Sequence, residues 1–213
     1  MKTSELVILL DDHGVEIGTA DKATVHTEDT PLHLAFSCHI FNSDGQVLVT
    51  RRALSKKTWP GVWTNSACGH PGPGESLHDA IRRRAHDELG LELGEIREAL
   101  PDFRYRAVDA SGIVENEICP VFVARATSEP SPRADEVCEW EWLDPRSLQQ
   151  SVTATPLPSA PGLSTRWSNG ATPTVSRHPF GENSGMSETP LVHAVPGSDC
   201  RTCPNHRGVQ RGS

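Results

Sequence analysis

The sequence lacks any apolar run of the roughly 18 to 20 residues that a membrane-spanning helix requires. Its first apolar stretch is short, from Leu6 to Leu10, and no small-residue cleavage site follows, so a signal peptide is not expected. Basic residues are outnumbered, with 20 Lys and Arg against 28 Asp and Glu and a formal net charge of -8. This balance argues against non-specific nucleic-acid binding, which needs a basic surface. We expect a cytoplasmic protein, taken as a monomer, that binds neither membrane nor nucleic acid.

The chain is long enough for one domain but is lean in apolar residues. Its 213 residues are 36% hydrophobic, which suffices for one core. Short apolar runs bounded by turn signals continue to about Leu148. After about Thr155, Pro, Gly, Ser, Thr and Asn dominate and no apolar stripe survives. We predict a single domain over residues 1–155 and an irregular, disordered tail over residues 156–213.

Several β-strands are predicted from short apolar runs and turn residues. Asn42 to Gly45 has the composition of a hairpin turn, because an Asp-Gly pair tolerates positive φ angles. Further strands are predicted over Ile118–Ala124 and Trp140–Leu143. Asp144 and Pro145 then suit the cap and first turn of a short helix that reaches Leu148.

One helix has clear signals at both ends. Ser76 followed by Asp79 resembles a capping box, and Gly90 is a suitable left-handed residue at the end. Between them, five apolar residues recur at spacings of three and four and form one stripe: Leu77, Ala80, Ile81, Ala85 and Leu89. On the polar face, Arg84 and Glu88 lie four residues apart, as do Arg83 and Asp87, so the charges alternate in sign.

Five polar residues are suited to hold a divalent metal ion. Three imidazoles and two carboxylates together form a near-octahedral ligand shell for Mn²⁺, Mg²⁺ or Zn²⁺: His26, His33, His70, Glu115 and Glu117. Side chains two apart in a strand point to one face, so both carboxylates reach one ion. The alternative is that these are scattered surface residues, and spacing alone does not decide between the two.

Cys68 lies in a stretch of small residues, Asn65–Pro71, that leaves room for a substrate beside a thiolate. The alternative is a buried structural cysteine, and we assign that role to Cys38, Cys119 and Cys138. In a reducing compartment none of these is expected to form a disulfide.

The segment from Gly69 to Leu91 resembles the Nudix box. Seven residues stand in its register: Gly69, Glu75, Arg83, Ala85, Glu88, Gly90 and Leu91. Arg84 and Asp87, however, occupy two positions where Nudix hydrolases carry metal-binding Glu residues. Exchanging a Glu for Arg replaces a metal ligand with a cation, so the departure argues against a hydrolase. Glu88 remains as a ligand for one Mg²⁺ ion.

Longer motifs make the resemblance more specific. The chain is similar to the type I isopentenyl-diphosphate isomerase family in five segments: Leu32–Ser37, Thr50–Ser66, Cys68–Pro71, Phe103–Arg106 and Gly112–Glu117. The likeness covers roughly residues 5–155. It implies an α+β fold, a Nudix-like α-β-α sandwich with a mixed β-sheet, and isomerisation of isopentenyl diphosphate to dimethylallyl diphosphate.

The resemblance also implies roles for individual residues. The five-residue set around His33 corresponds to the family's metal shell, and Cys68 and Glu117 to its two catalytic groups, with Tyr105 hydrogen-bonded to Glu117. Glu88 corresponds to the ligand of a Mg²⁺ ion that also binds the substrate diphosphate. Four cations correspond to diphosphate contacts: Lys22, Arg52, Lys56 and Arg84. A small allylic or homoallylic diphosphate is the implied partner.

The tail departs from the family. Gly162 stands where the family carries a Trp, with Trp167 a candidate substitute, and the family's C-terminal helix is unrecognisable. We interpret this as a reading-frame change after Pro156. The segment Cys200–His206 resembles half of a zinc site but lacks a nearby fourth ligand, and we attribute it to chance. Two alternatives to an active isomerase stay open: a Nudix-type diphosphate hydrolase, and a catalytically impaired metal-binding or scaffold homologue.

Overall fold

The computed structural model describes the backbone of residues 5–57, 59–109, 111–154 and 193–194. These ranges contain three helices, α1 Lys22–Val25, α2 Leu77–Leu89 and α3 Pro145–Ala154, and thirteen strands. In chain order the strands are β1 Leu6–Leu10, β2 Glu16–Asp21, β3 His33–Leu34, β4 Phe36–Phe41, β5 Val47–Arg52, β6 Trp63–Thr64, β7 Ala67–Gly69, β8 Leu93–Leu100, β9 Arg104–Val108, β10 Val114–Ile118, β11 Val121–Ala126, β12 Val137–Leu143 and β13 His193–Ala194.

The strands form two sheets, which are joined where the chain passes from one to the other. The smaller sheet has the order β2-β1-β3-β10-β9, and the larger has the order β13-β12-β5-β4-β11-β8, with β6 beside β5 and β7 beside β4. Most neighbours are antiparallel, but β3 and β10 are parallel, as are β4 and β11. Both sheets are therefore mixed.

The strand predicted over Ile118–Ala124 is divided. Cys119 and Pro120 separate β10, in the smaller sheet, from β11, in the larger one. Proline has no backbone N–H to donate, so a strand tends to end or change partners at such a residue. The prediction of one continuous strand was wrong at this point. The division leaves Glu115 and Glu117 on β10, away from the core strand β11.

The predicted hairpin is confirmed. Phe41 and Val47 are partners at the end of β4 and the start of β5, and the Asn42 amide donates to the Gln46 carbonyl at 3.0 Å. Gly45 has a φ of 76°, a conformation that glycine adopts without strain. The prediction over Trp140–Leu143 is also confirmed within the longer strand β12.

Helix α2 begins and ends as predicted. The Ser76 side chain accepts a hydrogen bond from the Asp79 amide, and Gly90 ends the helix with a φ of 61°. Four residues of the apolar stripe are buried, and Leu77 packs against the same core: Ala80, Ile81, Ala85 and Leu89. Because this stripe packs in the core, the charged face of α2 points away from that core.

Helices α2 and α3 cover opposite faces of the larger sheet. Phe36, Cys38 and Ile40 of β4 point into the core that contains α2, whereas the next residue, Phe41, packs with Leu148 of α3. Helix α3 is longer than predicted, since it continues past Leu148 to Ala154. The layers are helix, sheet and helix, which confirms the predicted α-β-α sandwich with mixed strands.

Most of the predicted tail, including Gly162, Trp167 and Cys200–His206, lies outside the described residues. The exception is His193–Ala194, which pairs antiparallel with β12 as β13. Within the described ranges, none of the three helices has the length and apolar character to cross a membrane.

Candidate active site

Four of the five predicted metal ligands converge at one point. One ligand atom from each of His26, His33, His70 and Glu117 lies within 4.8 Å of the others. We call these four residues the imidazole cluster. Glu117 Oε1 lies 3.3 Å from His70 Nε2 and 3.6 Å from His33 Nε2. The cluster is largely buried, with His33 and Glu117 in the interior.

Backbone pairing explains how residues distant in the sequence meet there. His33 on β3 is the direct parallel partner of Glu117 on β10. Four residues further along, Ser37 on β4 is the partner of Cys68 on β7. His70 follows Cys68 by two residues, about 7 Å along an extended chain, and contacts Glu117. The segment from His33 to Ser37 thus brings Glu117 and Cys68 to the same region.

Backbone carbonyls orient two of the three imidazoles. His33 Nδ1 lies 2.9 Å from the Pro31 carbonyl oxygen. Because a carbonyl only accepts, Nδ1 carries a proton, and the bond fixes the ring with Nε2 directed at the cluster. Burial works to lower the pKa of His33, but hydrogen bonding to Glu117 outweighs it and raises the pKa. His26 is likewise hydrogen-bonded to the Lys22 carbonyl. Such outer hydrogen bonds are typical of metal-ligating histidines. His70 Nδ1 is buried and has no hydrogen-bond partner among the described residues.

The surroundings of Glu117 favour the ionised, negatively charged form of its carboxyl group. Burial works to raise the pKa of this carboxyl, but hydrogen bonds from His33 and His70 outweigh it and hold the pKa well below its usual range. Burial lowers the pKa of His26 to about 4, and the neighbouring His70 and His33 add to this effect. A buried carboxylate beside imidazole lone pairs is a suitable ligand set for a divalent cation, so these residues fit a metal ion.

Glu115 lies beside the cluster without joining it. Its Oε2 accepts a hydrogen bond of 2.9 Å from the Tyr105 hydroxyl. The sequence predicted that Tyr105 binds Glu117, and this was wrong in the choice of carboxylate, although Tyr105 and Glu117 are backbone partners. Burial, reinforced by the charge of Glu117, raises the pKa of Glu115 to about 6. Glu115 therefore holds a proton more readily than an ordinary carboxylate.

Cys68 is the exposed thiol among the four cysteines of the described ranges; Cys38, Cys119 and Cys138 are buried, as predicted. Its Sγ donates to Asn65 Oδ1 at 2.9 Å and lies 4.0 Å from Ser37 Oγ. The sequence predicted an accessible thiol among small residues, and the exposure agrees with that prediction. The Cys68 sulfur is exposed and is held by Asn65, so it is available to a bound molecule.

Asn65 was quoted in the sequence motif but was given no role. Its buried amide uses its full hydrogen-bonding capacity: Nδ2 donates to Ser37 Oγ and to the Ala67 carbonyl, while Oδ1 accepts from Thr64 and Cys68. An amide with two donors and two acceptors in use has one orientation, since a flip would face like groups together. Asn65 thus holds the sulfur of Cys68 in place.

Three of the predicted diphosphate contacts form a second cluster of charges, each paired with a carboxylate. Lys22 Nζ lies 2.5 Å from Glu5 Oε2, Arg84 forms an ion pair with Glu88, and Lys56 with Glu136. We call these six residues the basic cluster.

Lys22 connects the two clusters. Its backbone carbonyl accepts a hydrogen bond from His26. Its charge also lowers the pKa of His70, to a smaller extent than burial does. Its side chain belongs to the basic cluster. The charge of Arg52, the fourth predicted contact, acts on Glu115. Three of the four predicted cations therefore belong to the basic cluster, and Arg52 acts on Glu115 beside the imidazole cluster.

The carboxylates of the Nudix-like segment do not gather as a metal cluster. Glu75 accepts two hydrogen bonds from Arg83, of 2.7 and 2.8 Å, and a third from the Gly72 amide. The predicted pair between Arg84 and Glu88 is present, while Arg83 pairs with Glu75 in preference to Asp87. Burial raises the pKa of Glu88, and contact with Glu136 adds to the effect. Glu88, half-buried and beside Arg84, is the carboxylate of this segment that is placed to take a cation.

Comparisons with known proteins identify the family and the fold. The NUDIX domain family profile matches residues 31–162. The chain is 65% identical over 161 residues to an isopentenyl-diphosphate Delta-isomerase from Leifsonia xyli subsp. xyli, covering 75% of this chain and 87% of the relative. It is 62% identical over 160 residues to one from Clavibacter michiganensis subsp. michiganensis, covering 75% and 82%. The crystal structure of DR0079 from Deinococcus radiodurans has a TM-score of 0.60 at 21% identity, covering 78% of this chain and 98% of that one, and supports the fold alone.

Proposed function

The chain belongs to the NUDIX domain family and, within it, to the isopentenyl-diphosphate Delta-isomerase family, and we infer that it converts isopentenyl diphosphate to dimethylallyl diphosphate. The enzyme is an isomerase that moves a carbon–carbon double bond. The observation that carries this conclusion is the high identity to two isomerases over more than four fifths of their length. The Arg84 departure in the Nudix-like segment adds to it, since it removes a ligand that hydrolysis would use.

The reaction requires one proton to be added and another removed. Protonation of the terminal alkene carbon gives a tertiary carbocation, and loss of a proton from the neighbouring carbon on the diphosphate side gives the product. An alkene is a very weak base, so a strong acid is needed. Glu117 is our proton donor, because a carboxyl whose pKa is well below its usual range releases a proton readily once it has received one. Glu115, whose pKa is raised to about 6, is the neighbouring carboxyl that holds a proton to supply it.

Cys68 is our proton acceptor on the other side of the substrate. Its exposed Sγ is held by Asn65, and the pairing of His33 and Ser37 with Glu117 and Cys68 supports a shared pocket. Because the reaction is reversible, Glu117 and Cys68 exchange roles with direction. Tyr105 belongs to the catalytic set through its hydrogen bond to Glu115, the neighbouring carboxylate on β10.

The imidazole cluster is our site for a bound divalent metal, with Mn²⁺, Zn²⁺ and Mg²⁺ as the candidates. His26, His33, His70 and Glu117 would hold it, with Glu115 as a fifth ligand. When bound, the metal would make a proton on Glu117 more acidic. The orientation of His33 by Pro31 and the unpartnered, buried Nδ1 of His70 support this assignment.

The basic cluster is our site for the substrate diphosphate. Lys22, Arg52, Lys56 and Arg84 would offset its charge, and Glu88 would hold a Mg²⁺ ion that also contacts the phosphates. The Arg84 and Glu88 side chains are only 15% exposed, and this supports the assignment, because charge interactions are stronger away from water. We place the enzyme in the cytoplasm, since the four described cysteines are free thiols.

Incubation of the purified protein with isopentenyl diphosphate and Mg²⁺ in D₂O tests this function. The expected product is an allylic diphosphate that carries deuterium from the solvent. Released phosphate would instead indicate the hydrolase alternative. Neither product, from a folded and metal-loaded protein, would indicate the impaired homologue. Elemental analysis of the same sample identifies the metal.

A further inference from the structure

Glu136 connects two residues of the basic cluster and was given no role by the sequence. Its carboxylate forms an ion pair with Lys56 and is in hydrogen-bonding contact with Glu88. The two partners of this ion pair are mostly shielded from water, with the Lys56 and Glu136 side chains 24% and 18% exposed. A pair this well shielded is screened less than an ordinary surface ion pair.

The backbone of Glu136 is fixed at a defined place. Its N–H donates to the Arg133 carbonyl at 3.0 Å, and its own carbonyl accepts from the Ala53 amide at 2.9 Å. Ala53 lies three residues before Lys56, and the Lys56 amide donates back to the Ala53 carbonyl at 3.1 Å. Glu136 therefore holds the segment that carries Lys56 through its backbone and its side chain together.

The loop before Glu136 is attached to the end of α2. The Ser131 amide donates to the Leu89 carbonyl at 2.7 Å, and the Arg133 amide donates to the Glu88 carbonyl at 2.9 Å. These bonds satisfy carbonyl groups that lack partners at a helix C-terminus. As a result the loop between β11 and β12 places Glu136 beside the Glu88 side chain.

We propose that Glu136 is a positioning residue that holds the Lys56 ammonium group in the diphosphate site beside Glu88. A lysine side chain has a flexible four-carbon stem and loses much rotamer freedom when it is fixed. A shielded partner on a fixed backbone restricts that freedom before the anion binds. This inference rests on the proposed function, because that function makes Lys56 a diphosphate contact.

The alternative role for Glu136 is competition with the bound anion for Lys56. If the carboxylate mainly occupied Lys56, its removal would free the cation and strengthen anion binding. Positioning and competition thus predict changes of opposite sign. The hydrogen bond from the Ala53 amide to Glu136 and the hydrogen bond from the Glu136 amide to Arg133 fix Glu136 together with the Lys56 segment, and they favour positioning.

Binding of inorganic pyrophosphate, measured by calorimetry with Mg²⁺ in excess, tests the proposal without turnover. Glu136→Gln keeps the side-chain shape, and we expect it to weaken pyrophosphate binding by about three- to tenfold. Lys56→Met is expected to weaken it by about tenfold, and the double variant by no more than Lys56→Met alone, because Glu136 acts through Lys56.

The matched control is Glu139→Gln, which removes a similar ion pair three residues further along the chain, on β12, since Glu139 Oε2 lies 2.9 Å from Arg51 Nη1. It is expected to bind pyrophosphate as the unaltered protein does. Glu136→Ala serves if Glu136→Gln does not fold. Unchanged or tighter binding by either folded variant, or losses that add fully in the double variant, would overturn the proposal. Deuterium uptake by the unaltered protein tests the function separately, so the two failures are distinguishable.

Discussion

The imidazole cluster and the basic cluster meet at Lys22, and they treat charge in opposite ways. In the imidazole cluster one carboxylate, Glu117, faces three imidazoles. Burial lowers the pKa of two of them, His26 and His70, whereas the hydrogen bond to Glu117 raises the pKa of His33. In the basic cluster each cation already has its own carboxylate. The first arrangement is incomplete without a cation or protons, whereas the second is close to neutral.

This difference suggests how each cluster binds. A site with converging lone pairs and one negative charge binds a metal strongly and persistently. A site of paired charges is close to neutral and therefore binds an anion more weakly, with a second cation such as Mg²⁺ adding positive charge. Persistent binding suits a resident metal and reversible binding suits a substrate. Single substitutions in each cluster test this difference.

Glu117→Gln is expected to give the largest effect, because Glu117 is both a proposed ligand and the proposed acid. Turnover should fall by about 10³- to 10⁴-fold, and the metal content of the purified protein should fall with it. Kinetics by deuterium uptake and elemental analysis check the two losses. The exposed Glu95→Gln variant is the control, and a Glu117→Gln protein with normal turnover would contradict the assignment.

Cys68→Ala should separate chemistry from metal binding. The loss of the acceptor should lower turnover by about 10²- to 10⁴-fold. The metal content should stay unchanged, since Cys68 lies outside the imidazole cluster. Loss of metal together with activity would show that Cys68 supports the metal site instead.

Asn65→Ala removes the group that holds Cys68. We expect turnover to fall by about tenfold with KM and metal content unchanged, which corresponds to about 1.4 kcal/mol in the barrier. Asn42→Ala is the matched control, because the Asn42 amide is also hydrogen-bonded but lies in the hairpin turn. A change in KM without a change in turnover would contradict a role through Cys68.

His26 should make the metal-free protein less stable on mild acidification. The pKa of His26 is lowered to about 4 in the folded chain, against about 6.5 in the unfolded chain. Between these values His26 binds more protons in the unfolded chain, so its contribution to stability falls as pH falls from about 6.5 to 4. Thermal unfolding in a chelator checks this. His26→Gln should reduce the difference in Tm between pH 7 and pH 4.5, and an undiminished difference would contradict it.

Glu5→Gln should give the smallest effect. Glu5 pairs with Lys22, but the Glu5 side chain is 57% exposed, and exposed ion pairs contribute about 0–1 kcal/mol. We expect the KM for isopentenyl diphosphate to change by less than about twofold. A larger change would mean that exposed carboxylates position cations as well as shielded ones do.

Local features of the fold were predictable from the sequence. The caps of α2 at Ser76 and Gly90 depend on residues within one turn of the helix ends, and the hairpin depends on Asp44 and Gly45. Such signals are short-range and survive in a single sequence. Pro120 itself indicated a break in the strand, since proline cannot donate a hydrogen bond in a β-ladder. The prediction nevertheless joined the apolar residues on either side of it into one strand.

Features that depend on long-range contact were not predictable in this way. The resemblance supplied His26, His33, His70 and Glu117 as one set, and their meeting depends on the register of β3 with β10. The partner of Tyr105 and the position of Glu136 depend on how side chains and a loop settle against distant elements. No spacing in the sequence indicates that residue 136 lies beside residue 88.

The connections between the two sheets have a mechanical consequence. Within residues 5–154 the chain passes from one sheet to the other three times, at Ala35, between β8 and β9, and at Cys119–Pro120. These crossings are hydrogen-bonded to one another through the Ala35, Ser37 and Cys119 amides. A hinge motion between the sheets would have to break these hydrogen bonds together, so we expect the spacing of acid and thiol to stay nearly constant while loops elsewhere move to admit substrate.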